Sequence, residues 1–165
     1  MSGRGQVELR AALTDIIVHG AYLLDERRFG DWLALTAPGF RYRIEAYSPE
    51  LRKDMVWLDH NRAGIAALIE LLPKHHGDGA DWLRQVSVGR LVDDGAERAS
   101  STSALSVFRT PRDVGDSHVE GGSSSLFLVG HYHDRFELHT NGWLLSERRV
   151  RLQTRQLGVG SHLFP

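Results

Sequence analysis

The chain has 165 residues, 41% of them apolar and 25% charged, with a formal net charge of −1. That length supports a single domain spanning residues 1–165 with a sizeable core, and near-neutrality gives no global field to recruit nucleic acid or an anionic membrane. The absence of cysteine excludes disulfides, thiol nucleophiles and cysteine-held iron–sulfur clusters.

No apolar run approaches the roughly 18–20 residues needed to cross a bilayer. The opening MSGRGQVELR lacks the apolar centre of a signal peptide, so a cytoplasmic location is expected. From Val7 to Asp25, Leu9, Leu13, Ile16, Ile17 and Leu23 recur at helical spacing and predict an amphipathic helix. A short second helix is expected over Arg28 to Leu35, with Phe29, Trp32, Leu33 and Leu35 as its apolar residues. Pro38-Gly39 reads as a break. Phe40 to Tyr47 then alternates as a strand, and Ser48-Pro49 ends it. Asp59 to Leu72 reads as a third helix, buried through Ile65, Leu68, Ile69 and Leu72 and capped by Asp59 or Asn61.

After Pro73, a polar loop carries His75 and His76, both expected in solvent. Leu83 to Val92 and Glu97 to Arg109 read as strands joined at Asp93-Asp94-Gly95. Thr110 to Ser125 is rich in Gly and Ser and reads as an exposed connection. The final stretch, Phe127 to Gln156, alternates over a long hairpin, with a type I′ turn expected at Asn141-Gly142. Leu128, Tyr132, Phe136 and Leu138 share one face, and His131, His133, Arg135 and Glu137 the other. This order predicts an α+β fold: a strongly curved antiparallel sheet with helices on one face, forming a cone around a pocket.

Several residues carry candidate chemistry. His131 and His133 project from one strand face, a pair that ligates a metal only if a third ligand approaches; the simpler reading is a polar outer face or a subunit interface. Tyr132 and Asp134 share the opposite face. In a cone pocket they could serve as oxyanion partner and base, with Asp31, Tyr22 and Tyr42 within possible reach. The plainer alternative pairs Asp134 with Arg148 or Arg149 across the hairpin and leaves Tyr132 in the core. Arg149, Arg151 and Arg155 suit an interface with acidic residues of another subunit, or an anion site. Trp57, in a stretch without clear period, is the tryptophan most expected at an interface.

LLDERRFGDWLALTAPGFRYRI (Leu23 to Ile44) resembles the opening signature of the small, or beta, subunits of aromatic-ring-hydroxylating dioxygenases. GHYHDRFELHTNGWLLSERRVRLQTRQL (Gly130 to Leu157) is similar to the same family and to its wider superfamily, the nuclear-transport-factor-2-like (NTF2-like) or cystatin-like cone fold. The resemblance implies a structural subunit with no catalytic residue and no cofactor of its own. It implies a beta trimer at the centre of a hexamer with three catalytic alpha subunits. The Rieske 2Fe–2S cluster and the mononuclear iron would then lie on the alpha chain. Family members usually carry Arg where Tyr132 stands and a Leu-Arg pair where Phe136-Glu137 stands. These departures suit a divergent branch, such as small subunits of Rieske monooxygenases acting on sulfonates. The superfamily also holds stand-alone isomerases, dehydratases and cyclases. The alternative it implies is metal-free proton transfer by Asp134 and Tyr132, or simple binding of a small ligand in the same cavity.

Overall fold

The computed structural model describes residues 3–72, 79–112, 122–155 and 164–165. The expected solvent positions of His75 and His76, and most of the Gly/Ser-rich connection, lie outside these residues. Helix α1 (Gly3–Asp25) buries Leu13, Ile17, Ala21 and Leu24. Their spacings of three and four place them on one face, as the periodicity requires. Helix α2 (Phe29–Ala34) is little more than one turn and is anchored by Trp32, 1% exposed.

Six strands form one sheet: β1 (Thr36–Ser48), β2 (Lys53–Asn61), β3 (Asp81–Gly95), β4 (Arg98–Thr110), β5 (Ser125–His139) and β6 (Gly142–Leu152). Their spatial order is β2-β1-β6-β5-β4-β3. All neighbours run antiparallel except β1 and β6, which are parallel. Pro38-Gly39, expected to break the chain, instead lies within β1. The pairing with β6 skips from Thr36–Leu145 to Arg41–Glu147. Proline is tolerated there because the ladder asks nothing of its missing N–H.

Strand β2 was not foreseen. Its register against β1 shifts at Ile44/Glu45, so that Val56 pairs with Glu45 and Leu58 with Ile44, leaving Trp57 as the extra residue of a β-bulge. A bulge inverts the side-chain alternation, which hides the period-2 signal. Consequently Asp59 and His60, read as the start of a helix, belong to the strand. Helix α3 (Arg62–Leu71) begins after them, and Asn61 caps it by accepting the Gly64 N–H at 2.9 Å.

The two hairpin turns also differ from expectation. Between the paired residues Gly95 and Arg98, Ala96 and Glu97 adopt φ of 49° and 62°, the two positive angles of a type I′ turn. In the β5–β6 hairpin, Thr140 and Asn141 lie between the paired His139 and Gly142, and only Gly142 has positive φ, 119°. The I′ geometry therefore forms at Ala96-Glu97 and not at Asn141-Gly142.

Further register shifts, with the extra residues in β3, β5 and β6, bend the sheet. α1 packs on β3, and α3 on β1. Inside this cone lie Phe40, Tyr42, Leu105, Val107, Leu128, Phe136, Leu145 and Val150. Phe164 joins them at 4% exposure.

Candidate functional site

From Leu128 to Phe136 the even-numbered residues of β5 face the cone interior, and Asp134 is among them, 1% exposed. Its carboxylate accepts two hydrogen bonds from Arg148, Nε to Oδ1 at 2.9 Å and Nη2 to Oδ2 at 2.7 Å. The Arg148 guanidinium carbon also stands 3.8 Å above the Tyr132 ring centroid. Burial alone would weaken the Arg148 cation. The charge and hydrogen bonds of Asp134 outweigh burial, so the guanidinium holds its proton more tightly than usual. A salt bridge this deep requires such fork geometry to offset desolvation.

Two phenols complete the cluster. Burial raises the pKa of both Tyr42 and Tyr132. The Tyr42 hydroxyl donates to the Pro165 carbonyl at 2.8 Å. The Tyr132 hydroxyl has no hydrogen-bond partner among the described residues. A second buried arginine, Arg84, donates to Asp25 and to the Phe164 carbonyl. Asp25 has its pKa raised by burial, which exceeds the opposing pull of Arg84.

As candidate chemistry this interior is constrained. A general base must reach a substrate proton, and the Arg148 fork bound to both Asp134 oxygens stabilises the carboxylate and lowers its basicity. Of the residues weighed for a catalytic pocket, Tyr42, Tyr132 and Asp134 are brought together. Asp31 is not: it is exposed and pairs with Arg28 at 2.8 Å. Tyr22 is 54% exposed and stacks on His19. Both lie outside the interior because they occupy the solvent sides of α2 and α1.

The outer face of the sheet is a grid of charge. Arg149 and Arg151 pair across the strands with His133 and His131 on one side, and with Arg43 and Glu45 on the other. Glu45, grouped by sequence with the polar face, is 3% exposed. It is enclosed by Arg43, Arg149 and Arg151 at 3.2, 3.5 and 3.7 Å. Arg151 also meets Asp54 at 3.1 Å, and Arg155 meets Glu50 at 2.7 Å. The arginines expected to face acids of another subunit thus engage acids of their own chain. An open groove of about 340 Å³ beside them is lined by Arg90, Thr102, His133, Arg135, Glu147 and Arg149.

The His131 and His133 rings are 6.4 Å apart. Burial, then Arg149, His131 and Arg151, lower the His133 pKa. This is a setting that repels cations. Among the described residues no three His, Cys, Asp or Glu side chains cluster as metal ligands, and the chain has no thiolate for a Rieske cluster.

Trp57 is 47% exposed on the edge strand β2, and Met55 and Val56 of the same strand, Tyr47 of β1 and Leu51 in the turn between them are each between 43% and 56% exposed. Sequence reasoning missed Arg84, Asp25 and the burial of Glu45. For Arg84 a signal existed: it shares strand parity with Val86 and Val88, so it is a charge at an apolar position.

Comparison with known proteins places this geometry in a family. A protein-family model described as a SnoaL-like domain matches residues 5–149. The chain is 40% identical over 153 residues to the methanesulfonate monooxygenase hydroxylase subunit beta of Methylosulfonomonas methylovora, covering 92% of this chain and 84% of that one. It is 24% identical over 152 residues to the 2-aminobenzenesulfonate 2,3-dioxygenase subunit beta of an Alcaligenes species, covering 92% and 96%. In fold it is similar to a crystal structure assigned as the beta subunit of an aromatic-ring-hydroxylating dioxygenase from Novosphingobium aromaticivorans, with a TM-score of 0.78, 18% identity and 98% of each chain covered. The chain belongs to the SnoaL-like, NTF2-like domain family, within the branch of oxygenase beta subunits.

Proposed function

We propose that this chain is the beta subunit of a Rieske-type oxygenase acting on a sulfonate, and that its work is assembly. The observation that carries the reading is the 40% identity, over nearly the whole chain, to a methanesulfonate monooxygenase beta subunit. The chemistry of the chain supports it. The cone interior is filled by aromatic side chains and a closed ion pair, and no cysteine exists to hold a Rieske cluster. The cluster and the mononuclear iron belong in this reading to an alpha subunit. A beta trimer organises three such partners into a hexamer, in the cytoplasm. Trp57 with its exposed apolar neighbours, and the arginine grid of Arg149, Arg151 and Arg155, are the surfaces proposed for these contacts. Exposed aromatic and Arg side chains are the types that anchor interfaces.

Co-expression with a chain carrying the Rieske ligand pattern tests the proposal. A stable complex that co-elutes and oxidises a sulfonate supports it. Persistent failure of any such chain to bind contradicts it.

A further inference from the structure

Strand β4 turns Ala99, Ser101, Ser103 and Leu105 into the cone, all at 5% exposure or less, so Ser100 and Thr102 lie on the outer face of the sheet. Their side chains are short. The flanking strands carry long ones in register: Arg90 pairs across with Thr102, Thr102 with His133, and His133 with Arg149. A strand of short side chains between neighbours with long ones leaves a trough, and this is the groove of about 340 Å³. Arg90 and Arg149 stand on its two sides, about 14 Å apart at the backbone, three strand spacings.

This row is short of carboxylates. Arg90 is exposed and has no ion pair among the described residues, and the Ser100 and Thr102 hydroxyls have no hydrogen bond there. Arg149 shares the Glu45 carboxylate, 3.5 Å away, with Arg43 and Arg151. Glu147 and Asp94 also line the groove. Glu147 is taken by Arg135 at 3.3 Å. Asp94 lies four residues along β3 from Arg90, about 13 Å at strand rise. Asp134, beneath the groove, is neutralised by Arg148. His133 registers the surplus: Arg149, His131 and Arg151 join burial in lowering its pKa, with Asp134 opposing.

We propose that Arg90, Thr102, His133 and Arg149 form a binding site for a tetrahedral oxyanion, a phosphate, sulfate or sulfonate group. Arg90 and Arg149 approach it from opposite sides with planar donor forks. The Thr102 hydroxyl donates from the floor, and His133 donates through a ring N–H. The site shares Arg149 with the surface assigned to subunit contacts but does not rest on the assembly reading.

The test is an NMR titration of the full chain alone, following the His133 ring. The probes are inorganic phosphate and, separately, methanesulfonate, with chloride at matched ionic strength as the blank. Either oxyanion is expected to shift the His133 signal saturably, with a Kd in the millimolar range. It is also expected to raise the His133 pKa toward the ordinary histidine value, because a bound anion favours the imidazolium. Arg90→Gln, at an exposed position, is expected to weaken binding about fivefold, while Arg98→Gln, outside the row, leaves it within about twofold. Tighter binding of methanesulfonate identifies the ligand as a sulfonate, and tighter binding of phosphate identifies an inorganic anion. A shift no greater than with chloride overturns the site. So does binding that Arg90→Gln weakens no more than Arg98→Gln does.

Discussion

Asp134 and Arg148 face each other across the β5–β6 hairpin only because one residue, Ser146, is extra. Counting back from the turn, Phe136 pairs with Leu145, but Arg135 pairs with Glu147. Without that bulge Asp134 would oppose Glu147, two carboxylates side by side. With it, Asp134 meets the guanidinium fork, both partners at 1% exposure.

Breaking this pair on one side leaves a buried, uncompensated charge. Arg148→Ala is expected to cost about 3–5 kcal/mol in denaturant unfolding, and Asp134→Leu a similar amount. The double variant Asp134→Leu/Arg148→Met is expected to recover most of the loss, since an apolar pair of similar volume needs no compensation.

Tyr132→Phe separates core packing from catalysis. The Tyr132 hydroxyl has no partner among the described residues, so removing it is expected to change stability by less than about 1 kcal/mol, or to stabilise slightly. Sulfonate turnover by the complex is expected to be unchanged. A large fall in kcat with normal folding would support proton transfer by Tyr132 and Asp134.

The hairpin core was legible because Leu128, Tyr132 and Phe136 keep strict alternation. So were the helices, whose apolar spacing is regular. The rest depended on bulges and long-range packing. Trp57 interrupts the period of β2, so that strand was invisible. Which arginine pairs with Asp134 hangs on Ser146, which sequence alone does not mark. Glu45 looks like a solvent-facing charge and is buried only because Arg43, Arg149 and Arg151 close over it. Arg84 reaches Asp25 and Phe164, contacts spanning 59 and 80 positions that no local pattern encodes.

Gly130 gives a backbone test. A Cβ there would lie 2.5 Å from the Arg151 carbonyl oxygen and 3.1 Å from the Leu152 Cα, both main-chain atoms of β6. Gly130→Ala must push the strands apart at the end of their pairing and is expected to cost about 1–3 kcal/mol. Gly39→Ala, where nothing lies within 4 Å, serves as the control and is expected to be nearly neutral.

Acid exposure should release the surface pairs in a defined window. Hydrogen bonds from Arg155 hold the Glu50 pKa down at about 2. Those from Arg41 and Arg112 lower Asp59 and Asp81. A depressed folded pKa means stability present above the ordinary carboxylate range and lost as pH falls through the folded value. The Arg155–Glu50 contribution should therefore be intact at pH 7 and fade between the ordinary Glu value, near ~4.3, and about 2. Glu50→Gln should lower Tm slightly at neutral pH, as an exposed pair allows, flatten that part of a Tm-against-pH curve, and converge with the parent as pH approaches about 2.

The most direct test is turnover with and without a companion chain. The chain purified alone is expected to bind no stoichiometric iron and to leave methanesulfonate unoxidised in the presence of oxygen and reductant. The complex with its Cys/His-bearing alpha subunit is expected to consume both. Sulfonate-dependent oxygen uptake by this chain in isolation would contradict the account.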